Sequence, residues 1–183
     1  PCAPREATAR SAHRLVAIPQ TVAPLAGTWA VGGDDARPLP VPRGCVLVVG
    51  PLGSGRTTAL AALKRCLHEN PDEPVLAIDD LDLAEAVVLS RVERALHSGR
   101  IVLASATTER VVGTYRGPLA TLRERGDLVV LWPALGPASQ VAGRSLRAVT
   151  DPRAPTHPGR GVLVSRGDTV PIQIAADATA AAT

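Results

Sequence analysis

The chain has 183 residues, enough for one domain with a three-layer core and too few for two domains of ordinary size. Hydrophobic residues make up 45% and charged residues 20%, the balance of a globular chain, and no apolar run approaches the ~20 residues that cross a bilayer. The net charge of +3 is spread without a basic stripe or interleaved aromatics, which argues against a nucleic-acid-binding footprint.

In chain order, residues 1–27 read as a lead-in, small and polar over 1–11, with a short strand at 13–18. Residues 28–31 form the first strand of the domain, and Gly32, Gly33, Asp34 and Asp35 make a turn. Residues 37–42 carry prolines at 38, 40 and 42, which suits only an edge strand or an extended linker. Residues 45–49 are apolar and rich in valine, a buried strand, and residues 58–67 have apolar positions at helical spacing. A further strand is expected at 75–78, a helix at 83–98 ending at Gly99, and a strand at 101–105. Residues 111–125 are helical with an interruption at Gly117-Pro118, and 127–132 form a strand closed by Pro133. A hairpin follows, 161–165 and 169–174 around Arg166, Gly167 and Asp168, and the tail 175–183 is low-complexity and expected to be disordered. Alternating strands and helices imply an α/β fold with a mostly parallel sheet covered on both faces and ligands at the carboxyl ends of its strands.

Between the strand at 45–49 and the helix at 58–67 stands Gly50-Pro51-Leu52-Gly53-Ser54-Gly55-Arg56-Thr57-Thr58. It fits the phosphate-binding pattern G-x-x-x-x-G-K-[ST] at every fixed position except Arg56, where the pattern has lysine. The glycines allow a tight loop whose N–H groups point at a phosphate, the helix end adds its dipole, and Thr57 offers a hydroxyl to Mg²⁺. The plain alternative is a glycine-rich turn. Residues 74–80 are an apolar run ending in Asp79 and Asp80, the form of a Walker B strand. Its first acid holds Mg²⁺ through water and its second orients an attacking water. Here the alternative is a strand ending in an acidic turn that caps the next helix.

Cys2, Cys45 and Cys66 lie far apart without metal-ligand spacing and read as reduced thiols. Lys64 is the sole lysine, and the preference for arginine with abundant alanine, valine, glycine and proline has the look of a GC-rich genome. Arg56 is therefore weighed against a background that favours arginine. With no methionine, the chain reads as a piece of something longer; with no signal-peptide pattern, a cytoplasmic location is the expectation.

With both motifs placed, the chain resembles the FtsK/SpoIIIE branch of RecA-like P-loop ATPases, and within it the C-terminal ATPase domains of EccC-like type VII secretion motors. The carriers are the lead-in at 32–39, the loop from Gly50 to Thr58, the strand ending at Asp80, Tyr115-Arg116-Gly117 ahead of the strand at 128–133, and the closing Pro158-Gly159-Arg160-Gly161-Val162-Leu163-Val164. The resemblance covers residues 28–174, taken as the P-loop ATPase-like domain. It implies a RecA-like three-layer fold; the family has a further strand and helix between the two motifs, so the domain is either reduced there or has a disordered insertion left out of this sequence, and the C-terminal hairpin is added to that fold.

The resemblance also implies ATP and Mg²⁺ as cofactors. Gly50, Gly53, Ser54, Gly55, Arg56, Thr57 and Thr58 would hold the nucleotide, Thr57 and Asp79 the metal, and Asp80 would be the catalytic group. Ser105 and Thr107 are candidates for the polar residue near the γ-phosphate, with a helix cap as the plainer role for Thr107. Implied partners are sister ATPase domains of the same longer chain, a hexameric ring and a secretion substrate, with DNA less favoured, at the inner face of the membrane as part of a membrane-anchored protein.

Arginine is larger than lysine and planar, so binding can survive where transition-state alignment does not. One misplaced charge of this kind costs about 10²-fold in rate. The reading is a degenerate nucleotide-binding module of a translocation motor. The alternative is an active ring translocase completed by an arginine finger, for which Arg110, Arg116, Arg123 and Arg125 are candidates, each otherwise a solvated helix charge. A small P-loop kinase is the reading from outside the family; the chain has no recognisable acceptor site.

Overall fold

The structure is a computed structural model and describes residues 16–67, 75–150 and 157–176. Among them eight strands form one sheet: β1 (Ala30–Gly32), β2 (Arg37–Pro38), β3 (Val46–Val49), β4 (Leu76–Ile78), β5 (Val102–Ala106), β6 (Asp127–Leu131), β7 (Arg160–Ser165) and β8 (Asp168–Ile174), in the order β2-β1-β8-β7-β6-β3-β5-β4. The helices are α1 (Arg56–Leu67), α2 (Ala86–His97), α3 (Thr108–Gly113), α4 (Gly117–Arg125) and α5 (Ala138–Val141). Strands β6, β3, β5 and β4 run parallel to one another and form the core of the sheet. The hairpin β7–β8 adds antiparallel strands to β6 and continues into β1 and β2.

The alternation of side chains along a strand divides the core into two layers. Val46 and Val48 of β3 face α1, packing with Ala59, Leu60 and Leu63 and with the fully buried Trp29. Leu47 and Val49 face the other way, onto Val92 of α2, Val111 of α3 and Leu119 and Leu122 of α4. A strand buried on both faces reads as an unbroken apolar run, which is why residues 46–49 show no polar alternation. Each such side chain contributes about 1.5–3 kcal/mol by leaving water.

The expected strands at 28–31, 45–49, 75–78, 101–105 and 127–132 are present with ends moved by one or two residues, and the terminal hairpin packs on the same sheet. Two helices differ. The residues ahead of α2 take a 3₁₀ turn, Leu81–Leu83, because Asp80 sits in the left-handed region (φ 48°, ψ 50°) and turns the chain before the helix can start. The helical stretch expected at 111–125 is two helices, α3 starting earlier at Thr108, and Gly117-Pro118 opens α4. Proline suits a first turn because its missing N–H has no helical partner there. The short α5 and a 3₁₀ turn at Arg147–Val149 had no expectation attached.

The strand expected at 13–18 lies partly outside the described residues, and its described part, 16–18, forms no strand; the tail 175–183 lies mostly outside them, as do residues 68–74. The described part of the lead-in is tied to the sheet: Val22 bridges Ala175, and Nη2 of Arg160 donates to the carbonyls of Ile18 (3.1 Å) and Pro19 (2.9 Å). Burial lowers the pKa of that guanidinium from its ordinary value. Cys45 and Cys66 are free thiols. No helix among the described residues is long and apolar enough to cross a membrane.

Candidate functional site

The loop between β3 and α1 sits at the carboxyl end of the parallel strands. Gly53 (φ 79°) and Gly55 (φ 95°) hold conformations that L side chains rarely adopt. Close packing adds a second demand at Gly55, where a Cβ would lie 2.9 Å from the backbone nitrogen of Gly159. The side chain of Ser54 is buried beneath the loop with its Oγ unpartnered, and its carbonyl accepts from the N–H of Gly159 at 2.8 Å. Thr58, half-buried, lies with Arg56 and Thr57 in the first turn of α1, where backbone N–H groups have no helical acceptor.

The acids arrive from β4. Parallel pairing of Ile78 with Ala104 brings the next residues, Asp79 and Ser105, side by side. Ser105, fully buried, donates its hydroxyl to Oδ1 of Asp79 and accepts the N–H of Asp80 at 2.9 Å. Oδ2 of Asp79 accepts from the hydroxyl of Thr57 at 2.7 Å. A hydroxyl and a carboxylate from the two motifs are thus in direct contact, the oxygen donor set that suits Mg²⁺.

Arg56 does not extend into solvent. It is buried, and its Nη2 lies 2.9 Å from Oδ1 of Asp80, while Nη1 is buried without a partner. The left-handed backbone of Asp80 accompanies this contact. The cation of the loop and the second acid of the strand neutralise each other, and one N–H-bearing nitrogen is left as an orphan donor whose burial costs free energy.

Thr107 stands at the N-cap position of α3 but makes no cap bond there; its hydroxyl donates to Oδ2 of Asp82 at 2.6 Å, and its N–H to the same oxygen at 3.2 Å. Arg110, Arg116 and Arg125 are exposed, whereas Nη1 of Arg123 donates to the carbonyl of Val111 at 3.2 Å. Asp82 had an expected role only as part of an acidic turn capping the next helix, whereas its carboxylate meets Thr107 ahead of α3; the segment that closes over the loop from the other side had no expected role. There the N–H of Gly159 reaches Ser54, Nε2 of Gln173 donates to the carbonyl of Pro158 at 2.9 Å, and the indole of Trp132 donates to the carbonyl of His157 at 2.8 Å. Pro158 and Gly159 stood out in the sequence only as the start of the closing segment that carries the resemblance; their contact with a loop a hundred residues earlier was not visible there.

Tested against a nucleotide, the residues fit: two buried orphan polar atoms, Ser54 Oγ and Arg56 Nη1, lie at a glycine loop that leads into a helix N-terminus. No family model matches the sequence, and no curated protein matches it. Solved structures do match in shape. An ATPase superposes with a TM-score of 0.57 at 14% identity, covering 83% of this chain and 87% of that one. The cytoplasmic domain of the Thermomonospora curvata type VII secretion ATPase EccC gives 0.58 at 15% identity over 87% of this chain. ATPases 2 and 3 of EssC from Geobacillus thermodenitrificans give 0.55 at 15% over 83%. The fold is that of a P-loop ATPase domain. The chain spans 28% of the length of the EccC chain and 42% of the EssC chain.

Proposed function

We propose that this chain is a nucleotide-binding, ATPase-like module of a type VII secretion motor, acting in protein export through nucleotide or partner binding more than through hydrolysis. The observation that carries the reading is the contact between Arg56 and Asp80 at 2.9 Å beside an assembled Thr57–Asp79 pair. In the proposed site the N–H groups of Gly53, Gly55, Arg56, Thr57 and Thr58 bind phosphate oxygens, Gly50 and Ser54 shape the loop, and Thr57 with Asp79 hold the metal. Mg²⁺, when bound, offsets the charge of the phosphates. Ser105 holds Asp79 in place.

Turnover also needs an acid free to orient water and a cation aligned on the transferring phosphoryl group. Here each is engaged with the other. The likeness to EccC and EssC supports sister ATPase domains in the same longer chain, assembly into a ring, a cytoplasmic position at the inner membrane face and a secretion substrate as the surrounding machinery.

The test is to titrate ATP with Mg²⁺ and to assay phosphate release on the same sample. Mg²⁺-dependent binding with turnover at background is the expected result. Brisk hydrolysis would instead support an active ring translocase, which the complete Thr57–Asp79–Ser105 cluster favours and which exposed Arg110 or Arg116 could complete in a neighbouring subunit.

A further inference from the structure

At the opposite end of the sheet, at the amino ends of β3 and β6, lies a cleft of about 520 Å³. Five arginines line it: Arg43 ahead of β3, Arg123 and Arg125 in the last turn of α4, Arg144 after α5, and Arg166 in the β7–β8 turn. Two acids, Glu124 and Asp127, share the lining. The residues of the lining carry five cations against two carboxylates, an excess of three positive charges. Among the described residues none of the five arginines forms an ion pair with an acid. Two are fixed by neutral acceptors that orient them without cancelling charge: Nη1 of Arg123 on the carbonyl of Val111, and Nη1 of Arg144 on the carbonyl of Gly167 and, at 3.2 Å, the hydroxyl of Thr169.

We propose that this cleft is a second anion site, distinct from the phosphate loop, and that it takes a compact linear polyphosphate. Planar guanidinium forks from separate segments suit several phosphate groups in a row, each able to accept two parallel N–H bonds. The volume lies within the range of small-ligand pockets, and a concave cluster of one sign raises the local concentration of counter-ions. The chain's two tryptophans and one tyrosine all lie outside the lining, so the cleft offers no stacking platform for nucleic-acid bases. Gly44, Gly126 and Gly167 also line it, and nothing lies within 4 Å of a Cβ added at Gly44 or Gly167, which leaves the backbone of these two open to the ligand. Five strand steps of ~3.3 Å separate Cys45 at this cleft from Gly50 at the phosphate loop, so the two sites cannot share one ligand of this size.

The test is a titration of the ¹⁵N-labelled protein with inorganic tripolyphosphate in EDTA, following the amides of Gly44, Gly126 and Gly167 against those of Gly53 and Gly55. Saturable shifts at the first three are expected. R125Q/R166Q, at two exposed positions, should weaken the cleft response about tenfold or more and leave the response at Gly53 and Gly55 in place. R43Q, in a separate segment, should weaken it in the same direction and serves if the double variant misfolds. ATP without Mg²⁺ distinguishes the source: equal cleft shifts identify the polyphosphate tail of a nucleotide, weaker ones an inorganic chain, and both support the site. Shifts confined to Gly53 and Gly55, an unchanged cleft affinity in the variants, or cleft shifts induced by a single-stranded oligonucleotide at lower concentration than tripolyphosphate would overturn the proposal.

Discussion

Nη2 of Arg56 and Oδ1 of Asp80 are 2.9 Å apart, joining the residue at the lysine position of the phosphate loop to the second acid of the β4 strand. The side chain of Asp80 is 45% exposed, so water screens this pair and its contribution to stability is modest, about 0–1 kcal/mol. In the proposed function its consequence is chemical, because the cation and the acid assigned to hydrolysis occupy each other.

Asp80→Asn should release Arg56 and tighten nucleotide binding several-fold while leaving turnover at background. Asparagine tolerates the left-handed backbone at this position (φ 48°), so the fold should change by less than about 1 kcal/mol. Titration with Mg²⁺-ATP checks it, and weaker binding in the variant would show that the ion pair supports the site.

Arg56→Lys should strengthen binding more readily than it restores hydrolysis. An ammonium is compact enough for the usual lysine position, but a finger from a neighbouring subunit is still lacking in a monomer. Single-turnover phosphate release beside equilibrium binding separates the two effects; a variant that hydrolyses briskly alone would contradict this account.

Ser105→Ala should cost about 1–3 kcal/mol, since it leaves the N–H of Asp80 without that acceptor and removes the hydroxyl that holds Asp79. Urea unfolding measures the loss. The Mg²⁺ dependence of nucleotide binding should weaken in parallel, a change that loss of packing alone would not produce.

Gly55→Ala should destabilise by more than about 1 kcal/mol, for a Cβ there meets the nitrogen of Gly159 at 2.9 Å in a backbone already at φ 95°. Gly99→Ala is the comparison, with a positive φ of 73° and nothing within 4 Å of the added carbon. A larger loss of melting temperature at Gly55 than at Gly99 is expected.

Much of this was legible from residue order alone. A valine-rich apolar run such as 46–49 reads as a strand buried on both faces, and a glycine loop between that strand and a helix lies at the strand's carboxyl end. The break at Gly117-Pro118 was visible too, although proline's fit to a first helical turn made it a beginning where an interruption was expected.

Residue order determined the P-loop architecture, the candidate loop and the two acids, because backbone conformation and side-chain period are local properties. Whether Arg56 reaches a phosphate or an acid depends on where β4 lies in the sheet, one strand away from β3 and in register with Ser105. The closure of the loop by Gly159 and the gathering of Arg43, Arg125 and Arg166 around one cleft likewise join residues far apart in the chain. Only the tertiary structure decided these, since pairing across the sheet is set by the burial of whole faces and leaves no mark on the spacing of any single motif.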